Sequence, residues 1–127
     1  MTSELRVNTL KDASGNNSVG MSTVSNGSAK SYTQFAGDGT ATINESFNTS
    51  TLLDEGSGLY KLTVTSAMNS SNYAVVLHSI NDVSYPAHVG SYDYDRTTTQ
   101  FTVKSSNSGS AWADSATLDS LIHGDLA

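Results

Sequence analysis

Cysteine is absent from the 127 residues of this chain, and proline occurs once, at Pro86. Without cysteine, the chain can form neither disulfides nor thiolate metal sites. Its stability must therefore come from a hydrophobic core or from assembly with other chains. A single domain of this length buries roughly two-thirds of the surface of its unfolded chain, so the expected core is small.

Positive charge is scarce as well, because six Lys and Arg stand against twelve Asp and Glu, for a net charge of −6. A surface that follows the phosphates of nucleic acid needs clustered cations, so we expect no nucleic-acid partner. The sequence has no run of about 18 apolar residues, and residues 1–20 contain no continuous apolar segment. We therefore expect neither membrane insertion nor a signal peptide.

The abundant residues are small and polar, with 22 Ser, 15 Thr and 10 Asn among the 127 positions. These residues favour turns and the solvent faces of strands over helix interiors. Hydrophobic residues make up only 36% of the chain and charged residues 14%. The composition therefore favours an all-β fold.

Short alternating segments separated by turn residues recur along the chain, which is typical of antiparallel strands. The clearest is Leu59 to Thr65, where Tyr60, Leu62 and Val64 share one face. Residues 54–58 read as a hairpin turn. The other predicted strands are residues 30–35, 40–47, 51–53 and 99–104.

Two further segments lack a clean alternation. Residues 73–80 form the most apolar run, and their short length predicts a central, buried strand. Residues 115–122 place apolar residues at positions that suit one helix face or a strand. The β-rich surroundings lead us to favour the strand there.

The amino-terminal residues predict a hairpin, with strands between Leu5 and Val24 around a turn at residues 12–17. An isolated two-stranded hairpin is marginal in water, so its apolar side chains need partners outside the hairpin. The symmetry mates of the same hairpin, or another protein, would supply them. The predicted assembly interface comprises Leu5, Val7, Leu10, Val19 and Met21.

Together these segments predict an all-β protein. Residues 29–127 form an antiparallel β-sandwich of about seven or eight strands, and residues 1–28 form an attachment or oligomerisation hairpin that precedes it.

No catalytic or metal motif emerges from the residues. The three histidines, His78, His88 and His123, have no metal-ligand spacing, and no G-x-S-x-G nucleophile motif occurs. We interpret His78 as a hydrogen-bonded structural residue. Asp93 and Asp95 alternate with tyrosines and could offer oxygen ligands to a hard cation, but an exposed polar face is the interpretation we favour. We expect no enzymatic activity, no metal and no cofactor.

The connection around Pro86 is unusually aromatic. Tyrosine offers a large amphipathic contact area at a low entropic cost, which suits recognition of a carbohydrate or peptide. The predicted ligand surface comprises Tyr85, His88, Tyr92 and Tyr94.

The order of several motifs resembles a module of tail-fibre and other virion proteins from marine bacteriophages, especially cyanophages. The motifs are SELRVNTLKDASGNNSV, then GSAKSYTQF, NESFN, GSGLYKLTV, SNYAVVL and the closing LIHGDLA. They extend over nearly the whole chain.

This resemblance implies a virion structural protein that is made in the host cytoplasm. It also implies a homotrimer, partners among the capsid, tail or portal proteins, and contact with a host surface glycan. Two alternatives remain open. The first is a capsid-attached knob or decoration protein without a receptor, and the second, of another class, is a carbohydrate-binding module or enzyme.

Overall fold

The structure, a computed structural model, describes residues 3–80, 88–92, 95–106 and 111–127, without the side chains of residues 88 and 90–92. Its elements are β1 (Thr9–Lys11), β2 (Ser18–Gly20), α1 (Met21–Gly27), β3 (Ser31–Ala36), β4 (Thr42–Phe47), β5 (Thr49–Gly56), β6 (Leu59–Val64), β7 (Ala74–Ile80), β8 (His88–Tyr92), β9 (Gln100–Ser106) and β10 (Thr117–His123).

Strands β3 to β10 form two four-stranded sheets, in the orders β4-β3-β10-β7 and β5-β6-β9-β8. Every neighbouring pair is antiparallel. The inward side chains of both sheets share one core, as in a β-sandwich. The predicted all-β, antiparallel sandwich is therefore confirmed.

The core follows the alternation of the sequence. Tyr60, Leu62 and Val64 of β6 are at most 3% exposed, as their shared face predicted. Phe101 and Val103 of β9 are buried beside them. The two sheets also meet through aromatic rings, because Phe35 of β3 lies edge-on to Tyr60 with 5.2 Å between the ring centroids.

At one end of the core, the Tyr60 hydroxyl lies 2.9 Å from the Gly37 carbonyl oxygen and 2.8 Å from Asp114 Oδ1. The same carboxylate accepts the Gly58 amide at 2.7 Å. Burial and the adjacent Asp114 carboxylate raise the pKa of Tyr60, which keeps the phenol protonated as a donor. Asp114 thus ties the β5–β6 turn to the core.

Asn48 carries the chain from one sheet to the other, because it alone separates β4 from β5. Its φ is 55°, in the left-handed region that Asn tolerates better than most residues. Its side chain donates to the Lys30 carbonyl at 2.9 Å and accepts the Ser66 amide at 2.7 Å. These bonds hold the crossover in place.

The two segments without clean alternation have different outcomes. The carboxyl-terminal segment is a strand, as we favoured, and β10 lies at the centre of its sheet between β3 and β7. The prediction of a central, buried strand at residues 73–80 is wrong. β7 is an edge strand of its sheet, and its outward side chains Val76 and Ile80 are more than half exposed.

The amino-terminal hairpin is shorter than predicted. β1 pairs with β2 over three residues, with Leu10 opposite Val19. Leu5 and Val7 lie outside the strands, and Met21 begins a helix. The predicted second strand extended to Val24, whereas in the structure Met21 and Val24 are three residues apart on a helix, a spacing that places them on one face.

Candidate functional site

An unexpected apolar row crosses the outer face of the β4-β3-β10-β7 sheet. Tyr32 lies opposite Phe47 on one side and Leu121 on the other, and Leu121 lies opposite Val76. Tyr32 is 39% exposed, Phe47 54% and Val76 58%. The rings of Tyr32 and Phe47 stack with 6.1 Å between centroids and 27° between planes. We name Phe47, Tyr32, Leu121 and Val76 the apolar row.

A polar row runs parallel to it, two residues further along each central strand. It consists of Glu45, Gln34, Asp119 and His78, which are consecutive cross-strand partners. Gln34 Nε2 donates to Asp119 Oδ1 at 3.0 Å, and His78 Nδ1 lies 3.1 Å from Asp119 Oδ2. These contacts fix three planar polar groups side by side on the surface.

The residues of both rows, apart from Phe47, line an open groove of about 420 Å³. Exposed apolar surface beside ordered polar groups is typical of a contact surface for a ligand or a partner. His78 Nδ1 bonds to Asp119 on the outer face of the sheet, whereas Ser120, the serine of the groove lining, is buried at 4% exposure.

Strand β3 explains why the sequence did not reveal this site. Its polar residues Ser31 and Thr33 face inward and are buried, whereas the aromatic Tyr32 faces outward. The inward hydroxyls are satisfied by Thr49, whose Oγ1 lies 3.0 Å from Ser31 Oγ and 2.6 Å from Thr33 Oγ1. The alternation in β3 did contain a signal. An aromatic residue between two small polar residues predicts either that the ring is buried or that it is exposed for a function, and here Tyr32 is exposed.

His78 is hydrogen-bonded, as expected, but its side chain is 64% exposed on the edge strand. The four residues of the predicted ligand surface lie mostly outside the part of the chain that the structure describes. Tyr85 and Tyr94 lie outside the described residues, as does Asp93. His88 and Tyr92 end β8, with their side chains outside the described part.

The predicted assembly residues are all at least partly exposed. Leu5 is 78% exposed, Val7 37% and Leu10 41%, while Val19 and Met21 are half-buried. No side chain of residues 3–29 is buried. The structure thus brings Leu10 and Val19 together as a cross-strand pair and leaves Leu5 and Val7 on the approach to β1.

The turn of this hairpin is organised by Asp12. Its carboxylate accepts hydrogen bonds from the Asn17 side chain at 2.6 Å, the Ser14 hydroxyl at 2.9 Å and the Asn16 amide at 3.1 Å. The bonds from Asn17 and Ser14 lower the pKa of Asp12, because they favour the charged form. The polar turn residues recognised in the sequence therefore act as predicted.

The outer face of the other sheet has a different chemistry. Lys61 Nζ lies 2.9 Å from Glu55 and 3.5 Å from Asp95, and these carboxylates raise its pKa. Lys104 Nζ lies 3.7 Å from the centre of the Trp112 ring, which is a cation–π contact. Its lysines are therefore engaged within the chain.

Within the described ranges, no three His, Asp or Glu side chains are grouped so that they could hold a metal ion. The described part also contains no helix that is both long and apolar enough to cross a membrane. Comparison of the chain with models of protein families, with curated proteins and with solved structures finds no match in any of the three.

Proposed function

We propose that this chain is a non-enzymatic structural protein of a bacteriophage virion, of the tail-fibre or fibre-tip type. It multimerises through its amino-terminal segment, residues 1–28, and displays the β-sandwich outward. Three copies form the assembly, as in the fibres that the sequence resembles. Other virion proteins of the capsid, tail or portal region hold the trimer, and the sandwich faces the host surface.

The observation that carries the proposal is the exposure of apolar side chains in this segment. Leu5, Val7 and Leu10 lie within 6 residues and remain exposed, while no residue of 3–29 is buried. Burial of a leucine or valine contributes about 1.5–3 kcal/mol relative to exposure. Association of copies supplies this burial, and the three-residue strands β1 and β2 gain neighbours that a lone hairpin lacks.

The amino-terminal segment and the sandwich are joined at a position that suits display. The Lys30 amide donates to the Ile122 carbonyl at 2.8 Å, so the chain enters the sandwich beside the end of β10. An assembly built on residues before Lys30 would hold each sandwich by one end. The opposite end and both outer faces would then point away from the attachment point.

Light scattering coupled to size-exclusion chromatography tests the assembly. The full chain is expected to have the mass of a trimer, and the triple substitution Leu5→Asp, Val7→Asp and Leu10→Asp is expected to give a monomer with an unchanged melting temperature. A matched control adds the same charges to the sandwich at Leu53, Val76 and Ile80, which are 54%, 58% and 53% exposed. It should remain a trimer.

A monomeric full chain would rule out the assembly role, and so would a control that dissociates while the amino-terminal variant remains assembled. Electron microscopy of particles with a labelled copy of the chain then separates the two virion positions. A label at the tail supports the fibre, whereas a label distributed over the capsid supports the knob or decoration protein.

A further inference from the structure

We propose that Asn26, near the end of α1, is a site of spontaneous deamidation, at which the backbone amide of Gly27 attacks the asparagine side chain. The reaction converts a neutral side chain into aspartate or isoaspartate. It needs water but no enzyme, and it does not depend on the assembly role of residues 1–28.

The sequence distinguishes this position from every other asparagine. Asn26 alone, of the 10 asparagines in the chain, precedes a glycine. A glycine has no β-carbon to shield its amide nitrogen, and its backbone reaches the conformations that the attack requires. A β-carbon placed on Gly27 would have no neighbouring atom within 4 Å, and Asn26 is exposed, so water reaches both residues.

The reaction has two steps. The Gly27 nitrogen forms a bond to Cγ of Asn26, while the Cγ–Nδ2 bond breaks and Nδ2 leaves as ammonia with the proton of the Gly27 amide. Water then opens the resulting cyclic imide at one of its two carbonyl carbons. Opening at the side-chain carbonyl gives aspartate, and opening at the backbone carbonyl gives isoaspartate. Each product carries a negative charge.

A stable helix would oppose the attack, because the Gly27 amide is then directed along the helix axis toward the preceding turn. However, α1 has only seven residues and none of them is buried, whereas isolated helices shorter than about 12–15 residues are marginal in water. Its N-cap, Gly20, provides no side-chain hydrogen bond, and its first turn contains no acidic residue. Asn26 lies one residue before the end of α1, where helices fray.

Two other asparagines are held away from such a reaction by their hydrogen bonds. Asn48 Nδ2 donates to the Lys30 carbonyl at 2.9 Å, and its Oδ1 accepts the Ser66 amide at 2.7 Å, so its side chain cannot turn toward the following amide. Asn17 Nδ2 donates to Asp12 at 2.6 Å. Within the described ranges, the side chain of Asn26 has no hydrogen-bond partner. Asn26 is therefore both unshielded and unrestrained.

Conversion changes the joint between α1 and the sandwich. The Ser28 amide donates to the Val24 carbonyl at 3.1 Å, and Lys30 Nζ donates to the Ser25 carbonyl. Both contacts span position 26, and isoaspartate inserts an additional carbon atom into the backbone between their ends. Aspartate keeps the backbone length but places negative charge near the carboxyl end of the helix, which the helix dipole disfavours. Both products therefore loosen α1.

Incubation of the full chain at neutral and mildly alkaline pH, followed by tandem mass spectrometry of the tryptic peptide 12–30, tests the proposal. This peptide contains Asn16, Asn17 and Asn26, so their conversions are compared directly. Asn26 is expected to convert first, at a rate within about tenfold of its rate in the urea-unfolded chain, a difference of about 1.4 kcal/mol in the barrier at most. The rate should rise with pH, because the attack requires the Gly27 amide to lose its proton.

Two variants separate the reaction from its consequence. Gly27→Ala adds the β-carbon that shields the amide nitrogen, and it should slow the conversion at least about tenfold in both the folded and the unfolded chain. Asn26→Asp reproduces one product. It should shift the amide resonances of residues 21–28 and leave those of β6 and β9, and the melting temperature of the sandwich, unchanged.

The proposal is overturned if Asn26 converts more than about tenfold more slowly in the folded chain than in the unfolded chain, because α1 would then protect it. Conversion of Asn16 or Asn17 before Asn26 would also overturn it, and so would a Gly27→Ala variant that reacts as fast as the unchanged chain. If the resonances of α1 do not shift in Asn26→Asp, the effect on the joint is wrong.

Discussion

In the sandwich, Phe35, Tyr60 and Phe101 are each at most 1% exposed, whereas in the amino-terminal segment Leu5 is 78% exposed. Polar side chains also act differently in the two regions. In residues 3–29 they organise the backbone, as Asp12 does in its turn, while in the sandwich they close the ends of an apolar core, as Asp114 does. Stability and assembly are thus carried by different residues, and substitutions should separate them.

The largest expected difference in the free energy of unfolding is between Phe101→Ala and Leu5→Ala. Phe101 of β9 is only 1% exposed, so its truncation should lower the free energy of unfolding by about 3–5 kcal/mol. Leu5→Ala should change the free energy of unfolding of the sandwich by less than about 0.5 kcal/mol. Urea denaturation of both variants gives the comparison, with Phe101→Leu as a milder substitution if the alanine variant does not fold.

Equal losses in the free energy of unfolding for Phe101→Ala and Leu5→Ala would contradict the separation of stability from assembly. The amino-terminal segment would then belong to the same folding unit as the sandwich. Denaturation should be repeated at several protein concentrations. A loss for Leu5→Ala that shrinks as the protein concentration rises would instead report weakened association.

How far the sequence predicts this contrast depends on the strand. In β6, the inner and outer residues differ in polarity, so the alternation alone predicts the buried face of Tyr60, Leu62 and Val64. In β7, both faces are apolar, so the pattern predicts burial on two sides and cannot reveal an uncovered edge strand. Strand order is set by contacts between distant residues, which local periodicity does not contain.

The candidate site was hidden for a related reason. The apolar row unites residues from four strands that are distant in the sequence, and Tyr32 and Val76 look like core residues when each strand is considered alone. The short helix α1 was also missed: the predicted second strand extended to Val24, and none of the helix residues is buried. Where tertiary packing does not bury one face of a segment, the pattern of apolar residues does not determine whether the segment forms a helix or a strand.

A second contrast concerns two glycines with similar, positive φ angles. Gly58 and Gly39 have φ of 65° and 67°, so alanine costs roughly 1–2 kcal/mol at either position through backbone strain. A Cβ at Gly58 would also lie 2.3 Å from the Ser105 carbonyl oxygen, whereas a Cβ at Gly39 meets nothing within 4 Å. We therefore expect Gly58→Ala to lower the free energy of unfolding at least 2 kcal/mol further, roughly the cost of an overpacked site.

Thermal and urea unfolding of the two glycine variants provide the measurement. The same measurement on Gly15→Ala tests the amino-terminal region, because Gly15 also has a positive φ, 74°, and open space around it. It should perturb the hairpin and leave the melting temperature of the sandwich unchanged. If Gly58→Ala and Gly39→Ala lower the free energy of unfolding by similar amounts, the close approach of the Ser105 and Ala113 backbones to Gly58 does not add to the cost of the substitution.

The smallest effect is expected from acid at Asp12. Hydrogen bonds from Asn17 and Ser14 lower the pKa of this carboxylate below its ordinary value of 3.8. The contribution of these bonds to hairpin order is therefore present above pH 3.8 and is lost as the pH falls through the lower pKa of the folded turn. Amide shifts of residues 14–17 should report this titration, while those of β6 and β9 should not follow it.

In Asp12→Asn the titration should disappear, because no charged acceptor remains. A midpoint at or above pH 3.8 would mean that the turn does not favour the charged carboxylate, and that its order depends instead on the backbone bond from the Asp12 amide to the Asn17 carbonyl.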